Sequence, residues 1–337
     1  MRWNGSDWLI VGTAGFSGPA YSQSLALDSN GFPVVAYQDL GRGGRTTVMR
    51  WNGSAWSTVG AAGFTAGVTS GQKLALDASG NPVVAFYDVA NGGRITVMRW
   101  DGTSWLTLGS AGFSAGTAQY LDLALDEQDN AIVAYRDGAN GGRTTVMRWN
   151  DSAWNALGTA GISQGVSSFH SLAVDNNGTA VVAFSDNGND SRTTVMRWNG
   201  AEWSPIGSLQ GASSGAIQFA SLALDSIGNP VVAYRDGAHH DRTTVLRWNG
   251  AAWVPVGAAG FYGSTTHRSL VLASNGDPVL AFADETAGNR TAVIRWNGSA
   301  WSAIGSTGFS AGLSGFHSLA LDRTNNPVVA YRDIANS

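Results

Sequence analysis

A seven-bladed β-propeller, all-β with four antiparallel strands per blade, is the fold this sequence predicts, and three observations predict it. Fourteen tryptophans fall into seven pairs: Trp3/Trp8, Trp51/Trp56, Trp100/Trp105, Trp149/Trp154, Trp198/Trp203, Trp248/Trp253 and Trp296/Trp301. The first of each pair follows an arginine, and successive Arg-Trp steps lie 48, 49, 49, 49, 50 and 48 residues apart. Between steps the chain repeats the same four short β-type segments. A fixed period of this size marks a repeat architecture. A small sheet with two apolar faces can bury both only against neighbouring sheets, and a ring of them supplies that neighbour everywhere.

The unit that spans residues 171–206 shows each element in order. Residues 171–175 alternate apolar and polar, predicting strand a, and Asn176-Asn177-Gly178 supplies the turn. Residues 181–185 form a β-branched run closed by Asp186, predicting strand b. After a polar loop, residues 192–198 alternate again as strand c, Asn199-Gly200 turns the chain, and residues 203–206 give strand d. A long Gly/Ser/Ala connection leads to the next unit. The chain opens inside a strand c and finishes after a strand b. The last blade is therefore built from about residues 317–337 with 1–12, which closes the ring without leaving open sheet edges. About five residues of that strand c are missing between Asp333 and Met1, which leaves room for a chain that continues beyond these ends.

Composition agrees with one rigid domain over residues 1–337. Hydrophobic residues make up 43% and charged residues 13%, and the 45 glycines recur at fixed turn positions rather than in a disordered tract. The net charge of -4 gives no reason to expect nucleic acid or an anionic membrane as partner. Thirteen of the 19 arginines occupy two repeated positions, so their abundance reads as framework rather than as a basic face. With no cysteine, neither a disulfide nor a thiolate site is possible. No apolar run reaches transmembrane length, so membrane insertion is not expected. No leader precedes Met1-Arg2-Trp3, as would also hold for an exported protein with its leader removed. The low-charge, Gly/Ser/Thr/Asn-rich composition favours an extracellular or cell-surface bacterial protein.

Strands a and b, as in residues 25–39 (LALDSNGFPVVAYQD) and 74–88 (LALDASGNPVVAFYD), resemble the repeat of NHL-type propellers. In that family a strand ending in aspartate is followed about six residues later by arginine, as Asp39/Arg45, Asp88/Arg94, Asp137/Arg143, Asp186/Arg192, Asp236/Arg242 and Asp284/Arg290 are here. The Arg-Trp-Asn-Gly-x-x-Trp hairpin is outside that pattern and gives the chain some similarity to bacterial propeller lectins with tryptophan-rich blades. The resemblance implies a binding platform more often than an enzyme, and it speaks for fold more than for function.

Four constellations invite a functional reading. The tryptophan pairs have the chemistry of sugar platforms, but a position filled identically in all seven blades reads as packing. The repeated Asp-Arg pairs read as ion pairs that tie hairpin ends together. Asp28-Ser29-Asn30-Gly31 and its relatives lack the ligand spacing and closing glutamate of a calcium loop, so they read as turns, and neither metal nor cofactor is expected. His239-His240-Asp241 lies in the b–c loop of the fifth blade and His267 just before strand a of the sixth, so the two could share one rim. No pair of carboxylates or nucleophile–base set stands apart from the framework, which reads as no enzyme.

Differences between the copies point elsewhere. The b–c loops and d–a connections vary while strands and the other turns do not, and in a propeller both variable sets open on one face. The two residues before strand a differ from copy to copy and should ring the mouth of the central channel. The candidate ligand-binding residues are therefore Gln23, Gln72, Tyr120, Phe169, His170, Phe219, His267, Arg268, Phe316 and His317, with His239 and His240 on the neighbouring loop. The reading that follows is a non-enzymatic recognition module for extracellular glycan, bound at the variable rim or in the grooves between blades. A scaffold that binds protein partners or self-associates is the alternative, and a hydrolase or lyase at the channel mouth a distant one.

Overall fold

The computed structural model describes residues 1–208 and 211–336, the side chains of 264–267 and 336 excepted. In the first blade strand a is Ala20–Leu27, b is Pro33–Asp39, c is Arg45–Trp51 and d is Trp56–Thr58. The same four recur in each blade, paired antiparallel in the order a-b-c-d. The closing blade takes a (Ser314–Leu321) and b (Pro327–Asp333) from one end of the chain and c (Arg2–Trp3) and d (Trp8–Leu9) from the other. Arg2 pairs with Val328 across that junction, and the seven a strands contact one another in an unbroken ring. Among the described residues no helix is long and apolar enough to cross a membrane.

The core lies between blades. Strand b is covered on both faces, so residues such as Val34, Ala36, Val83, Ala85 and Val231 are 0% exposed. Val83, Ala85, Ile95 and Val97 of one blade pack against Leu121, Leu123, Val133 and Tyr135 of the next. Burying such side chains contributes about 1.5–3 kcal/mol each, so the blade–blade junctions hold most of the stability.

The outer tryptophan of every pair ties its blade to the one before. Trp8, Trp56, Trp105, Trp154, Trp203, Trp253 and Trp301 donate Nε1–H to the carbonyls of Ile304, Val11, Val59, Leu108, Leu157, Ile206 and Val256 at 2.7–3.0 Å. In five junctions a phenylalanine of the d–a connection also stacks on that indole; Phe64 and Trp105 lie 4.0 Å apart and 4° from parallel. The glycine after each strand d makes room for the indoles. At Gly60 (φ +71°) a Cβ would sit 2.7 Å from Trp100 Cζ3.

The repeated aspartate and arginine are structural in a different way from the sequence reading. They face each other in register, as Asp39 and Arg45 do, yet none of the six pairs forms an ion pair. In five of the six the buried carboxylate accepts an N–H of the turn that follows strand b, while Asp39 accepts Thr47 Oγ1–H at 2.8 Å instead. Asp88 accepts Ala90 N–H at 3.1 Å, Asn91 Nδ2–H at 2.8 Å and Thr96 Oγ1–H at 2.9 Å, which fixes the 3-10 turn after strand b. The Asp28 turn is as expected: its Oδ1 is occupied by the N–H groups of Asn30 and Phe32, both at 2.9 Å.

Candidate functional site

Strand a begins earlier than its alternation predicts, at Ser167 rather than 171 in the fourth blade, because a β-bulge interrupts it. The register with strand b shifts in all seven blades, between Tyr21/Ser24, Ser70/Lys73, Gln119/Asp122, Ser168/Ser171, Gln218/Ser221, Thr266/Ser269 and Gly315/Ser318. The residues passed over are the variable pairs. The first of each adopts a left-handed backbone where described: Ser22 (φ 52°), Gly71 (64°), Tyr120 (52°), Phe169 (56°), Phe219 (52°) and Phe316 (53°). Aromatic residues there strain the backbone by about 1–2 kcal/mol each. What the bulge achieves is direction, since it re-aims side chains out of the pleat.

Those side chains form an aromatic arc at the channel mouth. The rings of Tyr120 and Phe169 lie 5.0 Å apart, as do those of Phe169 and Phe219, tilted by 60° and 46°. Tyr120 is 37% exposed, and the two phenylalanines are half-buried. Phe316 meets Tyr21 edge-on at 6.1 Å, and the Arg332 guanidinium sits 4.0 Å over the Tyr21 ring. In the second blade the aromatic comes from strand b: Tyr87 fills the space beside Gly71, where a Cβ would lie 2.3 Å from Tyr87 Cε2. Its hydroxyl accepts the N–H of Leu121.

The second residue of each pair turns the other way, into the junction with the preceding blade. Gln72, His170, Arg268 and His317 are 2%, 6%, 8% and 7% exposed. Gln72 Nε2 donates to Thr69 and Thr46 (2.8 and 3.3 Å), and Arg268 Nε donates to Thr243 (3.2 Å). His170 Nε2 lies 2.9 Å from Thr144 Oγ1 and 3.1 Å from Ser167 Oγ, and His317 Nε2 3.1 Å from Thr291 Oγ1. Where the pair ends in Leu121, the opposing threonine is replaced by Ile95, and the contact is apolar. Where it ends in Ala220, Thr193 Oγ1 has no partner among the described residues.

Burial, helped by the charge of Arg136, pushes the His170 pKa down to about 3 from 6.5, so the folded protein keeps this imidazole neutral. Below pH 6.5 the unfolded chain binds a proton that the folded one refuses. Stability therefore falls as pH drops from about 6.5 towards 3, by about 2 kcal/mol at pH 5. Gln72 fills the same place with a neutral amide. His170→Gln should accordingly fold normally at pH 7 and lose less stability than the parent on going to pH 5, read as the shift in urea midpoint. An unchanged shift would assign the acid sensitivity to other groups.

A central cavity of about 1120 Å³ runs inside the ring, and nine of the twelve expected residues line it: Gln23, Gln72, Tyr120, Phe169, His170, Phe219, Arg268, Phe316 and His317. Its wall carries an inter-blade belt in which a serine oxygen accepts the next blade's leucine N–H, as Ser24 does from Leu74 at 3.0 Å. Lys73 has no such acceptor and instead forms an ion pair with Asp122 at 3.1 Å. His239 and His240 are not part of the cavity wall. His239 Nδ1 contacts Asp236 at 2.8 Å in the place of Asn91 and Asn140, and His240 (φ 56°) takes the left-handed place of Gly92, so both are turn framework. The His267 side chain lies outside the described residues.

Two participants were not singled out in the sequence. Tyr87 stands in for a rim aromatic from the wrong strand, and Tyr21 precedes its bulge. The pairing of rim residue with strand c threonine was readable, since Leu121 and Ile95 depart from the consensus together.

No protein-family model matches this chain, and no curated protein does; the NHL-type resemblance finds no support there. Solved structures share its fold. SapL1 lectin in complex with α-methyl fucoside superposes with a TM-score of 0.57 at 15% identity, covering 86% of this chain and 96% of the lectin. The lectin of Aleuria aurantia, a six-bladed propeller with a fucose recognition mode, gives 0.55 at 19% identity over 87% of this chain and 100% of the lectin. An ulvan lyase bound to -[GlcA(1-4)Rha3S]- gives 0.59 at 14% identity, covering 98% of this chain and 93% of the lyase. The last finding corrects the expectation of no enzyme. A polysaccharide lyase uses this architecture over nearly the whole chain, so the framework-like character of the carboxylates does not exclude catalysis.

Proposed function

We propose that this propeller is a glycan-recognition module whose ligand lies across the channel mouth on the arc of Tyr120, Phe169 and Phe219. One observation carries the reading: three adjacent aromatic residues sit in a strained left-handed backbone that leaves their rings partly exposed. The bulge itself does not require an aromatic residue, since Ser22 occupies the same position. Strain kept where rings meet solvent is the mark of a site rather than of a core. Partly exposed rings stack on the apolar face of a pyranose while its hydroxyls stay in water. The lectin structures that share the fold bind fucosides, which fits the same ligand class. An extracellular or cell-surface setting fits that class of ligand.

The test is a glycan array followed by calorimetry on the best binder. Tyr120→Ala should weaken binding about tenfold or more, the loss of one central aromatic anchor. Array silence combined with ordered self-association would favour the scaffold reading. A lyase acting at the same mouth is the second reading, favoured by the likeness to ulvan lyase. It predicts unsaturated uronide products, visible by ultraviolet absorbance on incubation with acidic polysaccharide.

A further inference from the structure

We infer that the glycan is acidic and that the arginines opening strand c bind its charged groups; the inference rests on the glycan reading above. Arg45, Arg94, Arg143, Arg192, Arg242 and Arg290 stand one per blade on the face of the channel mouth. Five are exposed and Arg192 is half-buried. None of the six guanidinium groups has a hydrogen bond or ion pair among the described residues. The expected partner, the aspartate across the strand, is spent on its own turn in five blades and on Thr47 in the case of Asp39. Six copies of a planar five-donor group held at the surface with no internal partner are free to grip carboxylate or sulfate in a two-pronged fashion.

The face is uneven in a useful way. In blades four to six the b–c loops add Asp190, Asp241 and Glu285 beside the arginine, and Asp241 is already paired with Arg235 at 3.0 Å. Blades one to three add no loop carboxylate but gain Arg42 and Arg136, so the cationic arc runs over Arg42, Arg45, Arg94, Arg136 and Arg143. Arg136 stands across the sheet from Gln119, the residue before Tyr120, where the aromatic arc begins. A chain lying along both would set its sugar faces on the rings and its charges on the guanidinium groups.

Spacing favours polysaccharide over nucleic acid. Neighbouring sheets pack about 10 Å apart, so successive arginines are at least that far from one another. That suits an acidic polysaccharide, whose carboxylates or sulfates recur along the chain on the scale of a sugar or a disaccharide and can meet one guanidinium per blade. Duplex DNA, with a charge about every 1.7 Å, calls for a dense basic stripe that a chain of net charge -4 lacks.

The experiment compares Arg45→Gln/Arg94→Gln/Arg143→Gln with the parent protein on immobilised polygalacturonate, chondroitin sulfate, neutral galactan and a DNA duplex. The parent should bind one of the acidic glycans, less tightly as salt rises, and the triple variant should bind it at least tenfold more weakly with an unchanged melting temperature. Equal binding by the variant overturns the inference. Preference for galactan, indifferent to the arginines, overturns it while leaving the glycan reading intact. Silence on every glycan here overturns the inference, silence on the glycan array as well removes both, and arginine-dependent binding of the duplex alone would replace glycan by nucleic acid.

Discussion

Trp154→Ala is expected to destabilise the propeller by about 3 kcal/mol, the low end of the range for aromatic truncation because the indole is half-exposed. Three interactions go with the ring. It stacks on Phe113 at 4.1 Å and 2°, leans on Trp149 at 5.8 Å, and donates to Leu108 O at 2.8 Å. Trp154→Phe keeps the stack but strands the carbonyl, and should cost about 1 kcal/mol. The other junctions give an internal control. Trp203 meets Ile162 where Trp154 meets Phe113, so Trp203→Ala should cost about 1 kcal/mol less, the worth of an aromatic pair. Guanidinium titrations followed by circular dichroism would read all three. A ligand-platform role predicts the opposite pattern: stability almost unchanged and glycan binding lost on removal of any outer indole.

The contrast between the indoles and the rim shows what the sequence carries. Tryptophan spacing, turn chemistry and strand alternation are local and recur seven times, so blade count, strand order and ring closure were legible. The Asp-Arg pairing was misread because register places two residues opposite each other without stating where their side chains end. Asp88 has three nearer donors on its own loop and across the hairpin, and they outcompete a guanidinium that would have to leave water. The bulge was invisible because it leaves no compositional mark: Ser22, Gly71, Tyr120 and Phe219 share a backbone conformation and nothing else. Knowing that the rim varies placed nine residues on the cavity wall, but not which of each pair faces the channel mouth. That depends on the bulge, which turns Phe169 outward and His170 into the junction.

Phe169→Gly separates strain from function at that point. Glycine removes about 1–2 kcal/mol of left-handed backbone strain. The loss of two ring contacts, to Tyr120 and Phe219, withdraws about 0.5–1.5 kcal/mol each. These terms nearly cancel, so the variant should melt within a few degrees of the parent. Its glycan affinity should nevertheless fall at least tenfold, because the middle ring of the arc is gone. Phe169→Ala loses the same ring but keeps the strain, and should be less stable than Phe169→Gly while binding equally poorly. If Phe169→Gly instead unfolds as readily as Trp154→Ala, the arc belongs to the core, and the strain was retained for packing rather than for a ligand.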